Sequence, residues 1–189
     1  MSGAEGLDLF DGEHGVLFSV RPGRSAVVFA GDRLLGAEPA PDGLPNDVPI
    51  RAGGAELDVE VSPLAEPHLL RGRATGAEEL TLVRAVGSLG TSDGATEVAA
   101  VGFRTRVQEP PGPELRRSLA VAFADGGMLA IAAGAPTPDA PHNEEETTAI
   151  LTEPEGRVPI ERALISIEYD GEGRQRRATV ELWLPDESG

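Results

Sequence analysis

The chain contains no cysteine and no lysine; all sixteen of its basic residues are arginine. Without thiols there is no disulfide, no thiolate nucleophile and no cysteine-ligated zinc or iron–sulfur centre. Without an ammonium side chain there is no Schiff-base lysine and no Walker-type phosphate loop. A His-Glu-x-x-His zinc helix and a glycine-rich phosphate loop are missing too, and no nucleophile elbow is expected. These absences weigh against a metalloprotease, a nucleotide enzyme and a hydrolase. No cofactor is expected. No apolar run approaches the roughly eighteen residues of a membrane span, so no membrane insertion is expected. The opening MSGAEGLDLFDGEHG is acidic and holds no apolar signal core, which points to a cytoplasmic location.

What the chain does have is acid. Its net charge is −16 over 189 residues, which reads as a soluble acidic surface. Nucleic acids and anionic membranes need a basic footprint, so no nucleic-acid partner is expected. Arg174, Arg176 and Arg177 form the one local exception, too small for such a site beside so many carboxylates. Length and 40% hydrophobic content suit a single domain over residues 1–189.

Turn signals punctuate the chain at Asp11-Gly12, Pro22-Gly23, Gly31-Asp32, Gly53-Gly54, Asp93-Gly94, Asp125-Gly126, Glu155-Gly156 and Asp170-Gly171. Short segments rich in Val, Leu, Ile, Phe and Thr lie between them, and no amphipathic helix of about twelve residues is visible. Many short strands at regular spacing predict an all-β fold, an antiparallel lipocalin-like β-barrel or a flattened β-sandwich of about nine to eleven strands. Leu115–Ala133, split by Asp125-Gly126-Gly127, predicts a hairpin in the middle of a sheet, covered on both sides. Glu78–Leu89 and Ala95–Val107 predict the longest hairpin. Gly102, inside its second arm, marks a bulge or a close backbone approach. Residues 39–49, PAPDGLPNDVP, hold four prolines and predict an irregular loop. Glu66–Arg73 predicts an edge strand, and QEPPGP at 108–113 a connector.

Three groups could carry chemistry. His142, Glu144 and Glu146 would share one face of a strand and suit a divalent ion, although acidic residues after a loop more often begin a solvated strand. Asp11-Gly12-Glu13-His14 offers an imidazole among carboxylates for acid–base work, against the plainer reading of an exposed turn. His68 reads as a surface residue. The third group lies on the last strand, where Ala178, Val180, Leu182 and Leu184 alternate with Arg177, Thr179, Glu181 and Trp183. In a barrel one strand face points into the lumen. Trp183, Glu181 and Arg177, with Tyr169 from the preceding strand, would then line a ligand cavity. The competing reading makes that face solvent-side.

Residues 84–184 run as a hairpin with Asp-Gly at its tip (RAVGSLGTSDGATEVAAVGFR), then Phe123-Ala124-Asp125-Gly126, then His142-Asn143-Glu144. A closing Glu168-Tyr169-Asp170 and Glu181-Leu182-Trp183 pair of strands ends the run. This order resembles one lipocalin-like half of the AttH and carotenoid-hydratase-like proteins, which are built from two such β-barrel halves. The resemblance covers a little over half the chain and carries no catalytic residue across. It implies a large apolar ligand held in a barrel lumen.

The leading expectation is therefore a soluble lipocalin-like module that binds a small apolar molecule in a barrel cavity. One alternative is a hydratase, isomerase or cyclase acting in the same cavity, which would need a carboxyl buried there with a raised pKa. Another is a non-catalytic structural or interaction domain, a homodimer through an edge strand such as Glu66–Arg73.

Overall fold

The computed structural model describes residues 5–22, 25–30, 33–39, 47–52, 54–72, 76–109, 116–123, 125–135, 137 and 144–185. Among them the protein is all-β, with antiparallel sheets and no α-helix. Fifteen strands are formed: β1 (Glu5–Asp11), β2 (Val16–Arg21), β3 (Ser25–Ala30), β4 (Arg33–Glu38), β5 (Asp47–Ala52), β6 (Ala55–Pro63), β7 (His68–Gly72), β8 (Gly76–Thr91), β9 (Gly94–Glu109), β10 (Arg116–Ala122), β11 (Met128–Gly134), β12 (Glu146–Glu153), β13 (Gly156–Val158), β14 (Arg162–Tyr169) and β15 (Gln175–Trp183). The count exceeds the expected nine to eleven because short strands form where proline or brevity argued against them. Pro49 is one case. It lies in β5, opposite Asp58 of β6, at the end of the sheet order. A missing N–H is tolerated at an edge, where that group has no ladder partner.

Contacts divide the chain into two compact units, Met1–His68 with Glu79–Gln108, and Leu69–Glu78 with Glu109–Gly189, where length alone suggests one domain. The second division falls where the QEPPGP connector begins. The resembling stretch 84–184 crosses it.

The first unit holds the antiparallel order β4-β3-β2-β1-β9-β8-β6-β5. Alternation builds it: in β6, Leu57, Val59 and Val61 are buried while Glu56, Asp58 and Glu60 are exposed. The inward row of every strand from β1 to β3, with those of β6, β8 and β9, joins one buried cluster around Leu7, Leu9, Phe18, Val28, Leu57 and Val98. Each such side chain contributes about 1.5–3 kcal/mol of burial. A single sheet can gather one face on one cluster only by curling, and β5, at one end of the order, lies against β3 and β4, at the other. Two inward glycines permit the curl. A Cβ on Gly102 would stand 1.8 Å from the Asp8 carbonyl oxygen, and one on Gly87 2.0 Å from that of Asp58. The close approach expected at Gly102 is what the structure shows.

The second unit contains the ladder β10-β11-β12-β13 and the pair β14-β15. Ile131 and Ala133 of β11 meet Ala163 and Ile165 of β14 in a shared core, with Val180 and Leu182 of β15 at its border. The predicted hairpin forms in the register Ser118↔Ala132, Ala120↔Ala130. It is not the middle of its sheet, however. β11 is buried on both faces, but β10 ends the order and Ser118, Ala120 and Phe123 are exposed.

Candidate functional site

The chain that leaves β1 makes a four-residue turn, residues 12–15, before β2. Gly15 closes it at φ 62°, a left-handed conformation that costs a residue without a Cβ little. Asp11 organises the turn. Its Oδ1 accepts hydrogen bonds from the Glu13 N–H at 2.9 Å and the His14 N–H at 3.1 Å, the usual way aspartate folds the backbone after it. Its Oδ2 accepts the Ala99 N–H of β9 at 3.2 Å and lies 3.0 Å from His14 Nδ1. The carboxylate is 1% exposed, whereas the imidazole is 35% exposed.

Burial pushes the Asp11 carboxyl upward, but its bonds to the His14 ring and to three backbone N–H groups outweigh this. The net result lies below the ordinary carboxylate value. His14 moves the other way. The Asp11 hydrogen bond raises it, partial desolvation opposes, and the charges of Asp11 and Glu13 add to the rise. The pair is thus an ionised carboxylate behind an imidazole, with Nε2 as the nitrogen that Asp11 does not occupy.

His14 stands on the rim of a cavity of about 420 Å³, lined further by Val16, Ala30, Leu35, Ala55, Leu89 and Val98 and by the β8–β9 turn. It also lines a second depression of about 440 Å³ with Glu13, Val86, Glu97 and Ala99. The sheet order explains the first. Four connections, β1–β2, β3–β4, β5–β6 and β8–β9, lie at the same end of the antiparallel strands. The cavity is the cup they surround. Val16, Ala55, Leu89 and Val98 belong to the core and form its apolar floor, while His14, Thr91, Ser92, Asp93 and Thr96 supply polar groups.

Residues 90–94, GTSDG, spell the Gly-x-Ser-x-Gly pattern, contrary to the expectation that no such elbow is present. The structure places it in the β8–β9 hairpin turn rather than between strand and helix. Ser92 Oγ donates to Asp93 Oδ1 at 3.3 Å and shares the cup with His14, so its proton goes to a carboxylate and not to the imidazole.

The four residues expected to line a lumen are placed on β14 and β15. Arg177, Glu181 and Trp183 share the face of β15 opposite Val180 and Leu182, and all three are exposed. Arg162 lies over the Trp183 ring, its Cζ 5.1 Å from the centroid. Tyr169 is 60% exposed, at the register shift that ends the pairing. The sequence does bring Arg177, Glu181 and Trp183 together, on the side turned away from the core. His142 lies outside the described residues; Glu144 is exposed and Glu146 half-buried. Among the described residues no group of three histidine, aspartate or glutamate side chains is placed to hold a metal ion. His68 opens β7, half-buried.

Sequence reasoning missed the apolar floor and the burial of Asp11. The signal for the second was the turn itself, since an Asp-Gly-x-His-Gly loop buries its aspartate once the neighbouring strand supplies a donor. No helix among the described residues is long and apolar enough to cross a membrane. No family model, curated protein or solved structure matches the chain.

Proposed function

We propose that the first unit is a small-molecule binding module, a flattened barrel that takes its ligand in the cup at the turn end. The observation that carries this is the joining of an apolar floor to a few polar groups, His14 foremost, in a cavity of about 420 Å³. Binding sites are typically apolar with a few placed polar groups, in volumes of about 300–1,000 Å³. The interior below is filled by Phe18, Leu7, Leu9 and Leu57, so the ligand rests on the core rather than within it. Asp93 on the rim and Glu13 in the adjoining depression disfavour an anion. The ligand class is an apolar body with a neutral or cationic polar head.

Titration with a neutral polycyclic amine, followed by backbone amide shifts, tests this reading. Saturable shifts at Val16, Leu35, Thr96 and Val98 are expected. His14→Ala should weaken binding about tenfold, the value of roughly 1.4 kcal/mol for one hydrogen bond. Absence of saturable binding, or shifts confined to Tyr169 and Trp183, would reject the cup.

A second reading rests on the Asp11–His14 pair. A hydratase, isomerase or cyclase needs a proton-transfer group beside its substrate, and a carboxylate behind an imidazole is a common way to hold one. The buried carboxyl here is kept ionised, so the transferring group would be His14 Nε2 and not a protonated acid. In that case His14→Gln would abolish turnover while leaving amine binding in place.

A further inference from the structure

The second unit ends in a strand that its own fold does not finish covering. β15 has β14 as its ladder partner on one side, and among the described residues no strand pairs with the other. β14 is backed by β11 and β12, and its Ala163 and Ile165 are buried; their cross-strand partners Leu182 and Val180 are only half-buried, and Ala178 is exposed. The apolar layer runs out one strand too late. Open edges usually carry a device that blocks pairing, such as proline, a bulge, brevity or an inward charge. β5 has Pro49 and β13 has three residues, while the β3–β4 pairing shifts register after Val28. β15 shifts register at Arg176, near its start, but from Arg177 to Trp183 its pairing is regular, with no proline and no charge among Ala178, Val180 and Leu182.

The outer row of the same strand shows what would fit there. It reads Arg177, Thr179, Glu181, Trp183, with charges of opposite sign placed evenly about Thr179. Neither Arg177 nor Glu181 takes a side-chain partner among the described residues.

We propose that β15 pairs antiparallel with β15 of a second copy of this chain, about a two-fold axis at Thr179. In that register the regular stretch Arg177 to Glu181 pairs with its counterpart, and Arg177 stands opposite the partner subunit's Glu181, as Glu181 does opposite the partner subunit's Arg177. The neighbouring registers lose this. Centring on Ala178 sets Arg177 against threonine and carries Glu181 past the register shift at Arg176. Centring on Val180 sets Glu181 against threonine, and centring on Arg177 or Glu181 puts like charges together. A two-fold contact requires a self-complementary patch, and cross-strand pairs of opposite charge favour one register where like charges oppose it. The two β14–β15 pairs join into a four-stranded sheet, and Val180 gains a neighbour in the partner subunit's Ala178. Cation-over-ring contact holds Trp183 beside Arg162 at either end.

Sedimentation of the full chain across about a hundredfold in concentration tests this. A monomer–dimer equilibrium is expected. Arg177→Glu and Glu181→Arg should each weaken it at least about tenfold, and the double variant Arg177→Glu/Glu181→Arg should restore it, since the swap rebuilds both pairs. Val180→Pro should abolish the dimer; because it could also disturb the fold, the charge swap carries the decision. A monomer throughout, or a dimer that both single reversals leave unchanged, would overturn the proposal. The cup lies in the other unit, so loss of ligand binding and loss of dimer are separate results.

Discussion

Replacing Asp11 tests whether a buried carboxylate, rather than a turn-forming residue as such, builds the rim of the cup. The side chain accepts four hydrogen bonds, three from backbone N–H groups and one involving His14 Nδ1. Asparagine keeps one acceptor oxygen for Glu13 and His14, but turns an NH2 group toward the Ala99 N–H and forces His14 to change tautomer. One donor left facing a donor, with the charge removed from the other bonds, costs about 2–3 kcal/mol. Alanine removes every acceptor and should cost about 4 kcal/mol, near the upper end for a single substitution. Urea unfolding followed by far-ultraviolet circular dichroism measures both, provided the slope with denaturant is unchanged. A cost below about 1 kcal/mol for Asp11→Ala would refute the reasoning, because the turn would then close without its carboxylate. The pH dependence supplies an independent check. Asp11 is depressed in the folded protein, so its contribution is present above its unfolded value of about 3.9 and is lost as pH falls through the folded value. His14 is raised, so its contribution is complete below its unfolded value of about 6.5 and is lost as pH rises through the folded value. The stability difference between the wild type and Asp11→Asn should therefore be greatest between about pH 4 and 6.5 and shrink on both sides. A difference that kept growing toward alkaline pH would contradict the ion pair.

Gly102→Ala should cost about 3 kcal/mol or more, because its Cβ meets backbone at 1.8 and 2.8 Å, whereas Gly90→Ala, with its nearest atom at 3.6 Å, should be within about 0.5 kcal/mol of neutral; equal effects in urea unfolding would show that the sheet does not curl tightly at Gly102. Arg117 and Glu145 form an ion pair at 12% and 8% exposure, so Arg117→Leu alone should cost about 3 kcal/mol or more. A double-mutant cycle with Glu145→Leu should return a coupling above about 1.5 kcal/mol, and strict additivity would deny the pair. Arg21 binds Asp8 through two nitrogens, but both side chains are over a third exposed; Arg21→Ala should cost about 1 kcal/mol or less and less still in high salt.

The turns were the most legible part of the chain. Asp11-Gly12, Asp93-Gly94, Asp125-Gly126, Glu155-Gly156 and Asp170-Gly171 each fall at the junction of two paired strands, because the need for a left-handed or unhindered residue is local and leaves a local mark. Alternation was equally plain in β6 and β15. What alternation cannot say is which of two faces is inside when both hold something a core would accept. The row Arg177, Thr179, Glu181, Trp183 includes an indole, and the row Ala178, Val180, Leu182 is unremarkable for a strand; the choice between them is made by Ile131 and Ala133, which approach from a different ladder. The same limit hid the cup. Leu35, on β4, is far along the chain from Leu89 and Val98 on the β8–β9 hairpin, and the three line one cavity only through the order of the whole sheet. Pro49 misled for a related reason, since proline's cost depends on whether its strand is flanked on both sides, a property of the sheet and not of the segment.

The filled interior also decides where specificity can reside. In a hollow barrel, ligand choice is written into inward side chains along the strands, and changing one alters the core at the same time. Here the inward rows are occupied by one another, and a ligand in the proposed cup would meet only their upper layer: Val16, Ala55, Leu89 and Val98. Above that layer the contacts come from turns, at His14 and Gly54 and from Thr91 to Asp93, which are the positions where substitution disturbs packing least. Floor and rim therefore carry separable duties. Leu89→Ala should lower both stability, by about 2–4 kcal/mol, and affinity for an apolar ligand. Ser92→Ala or Thr96→Val should leave stability within about 0.5 kcal/mol while changing which polar head is preferred. Rim changes that unfold the unit, or floor changes that spare its stability, would mean that the ligand does not sit where the turns converge.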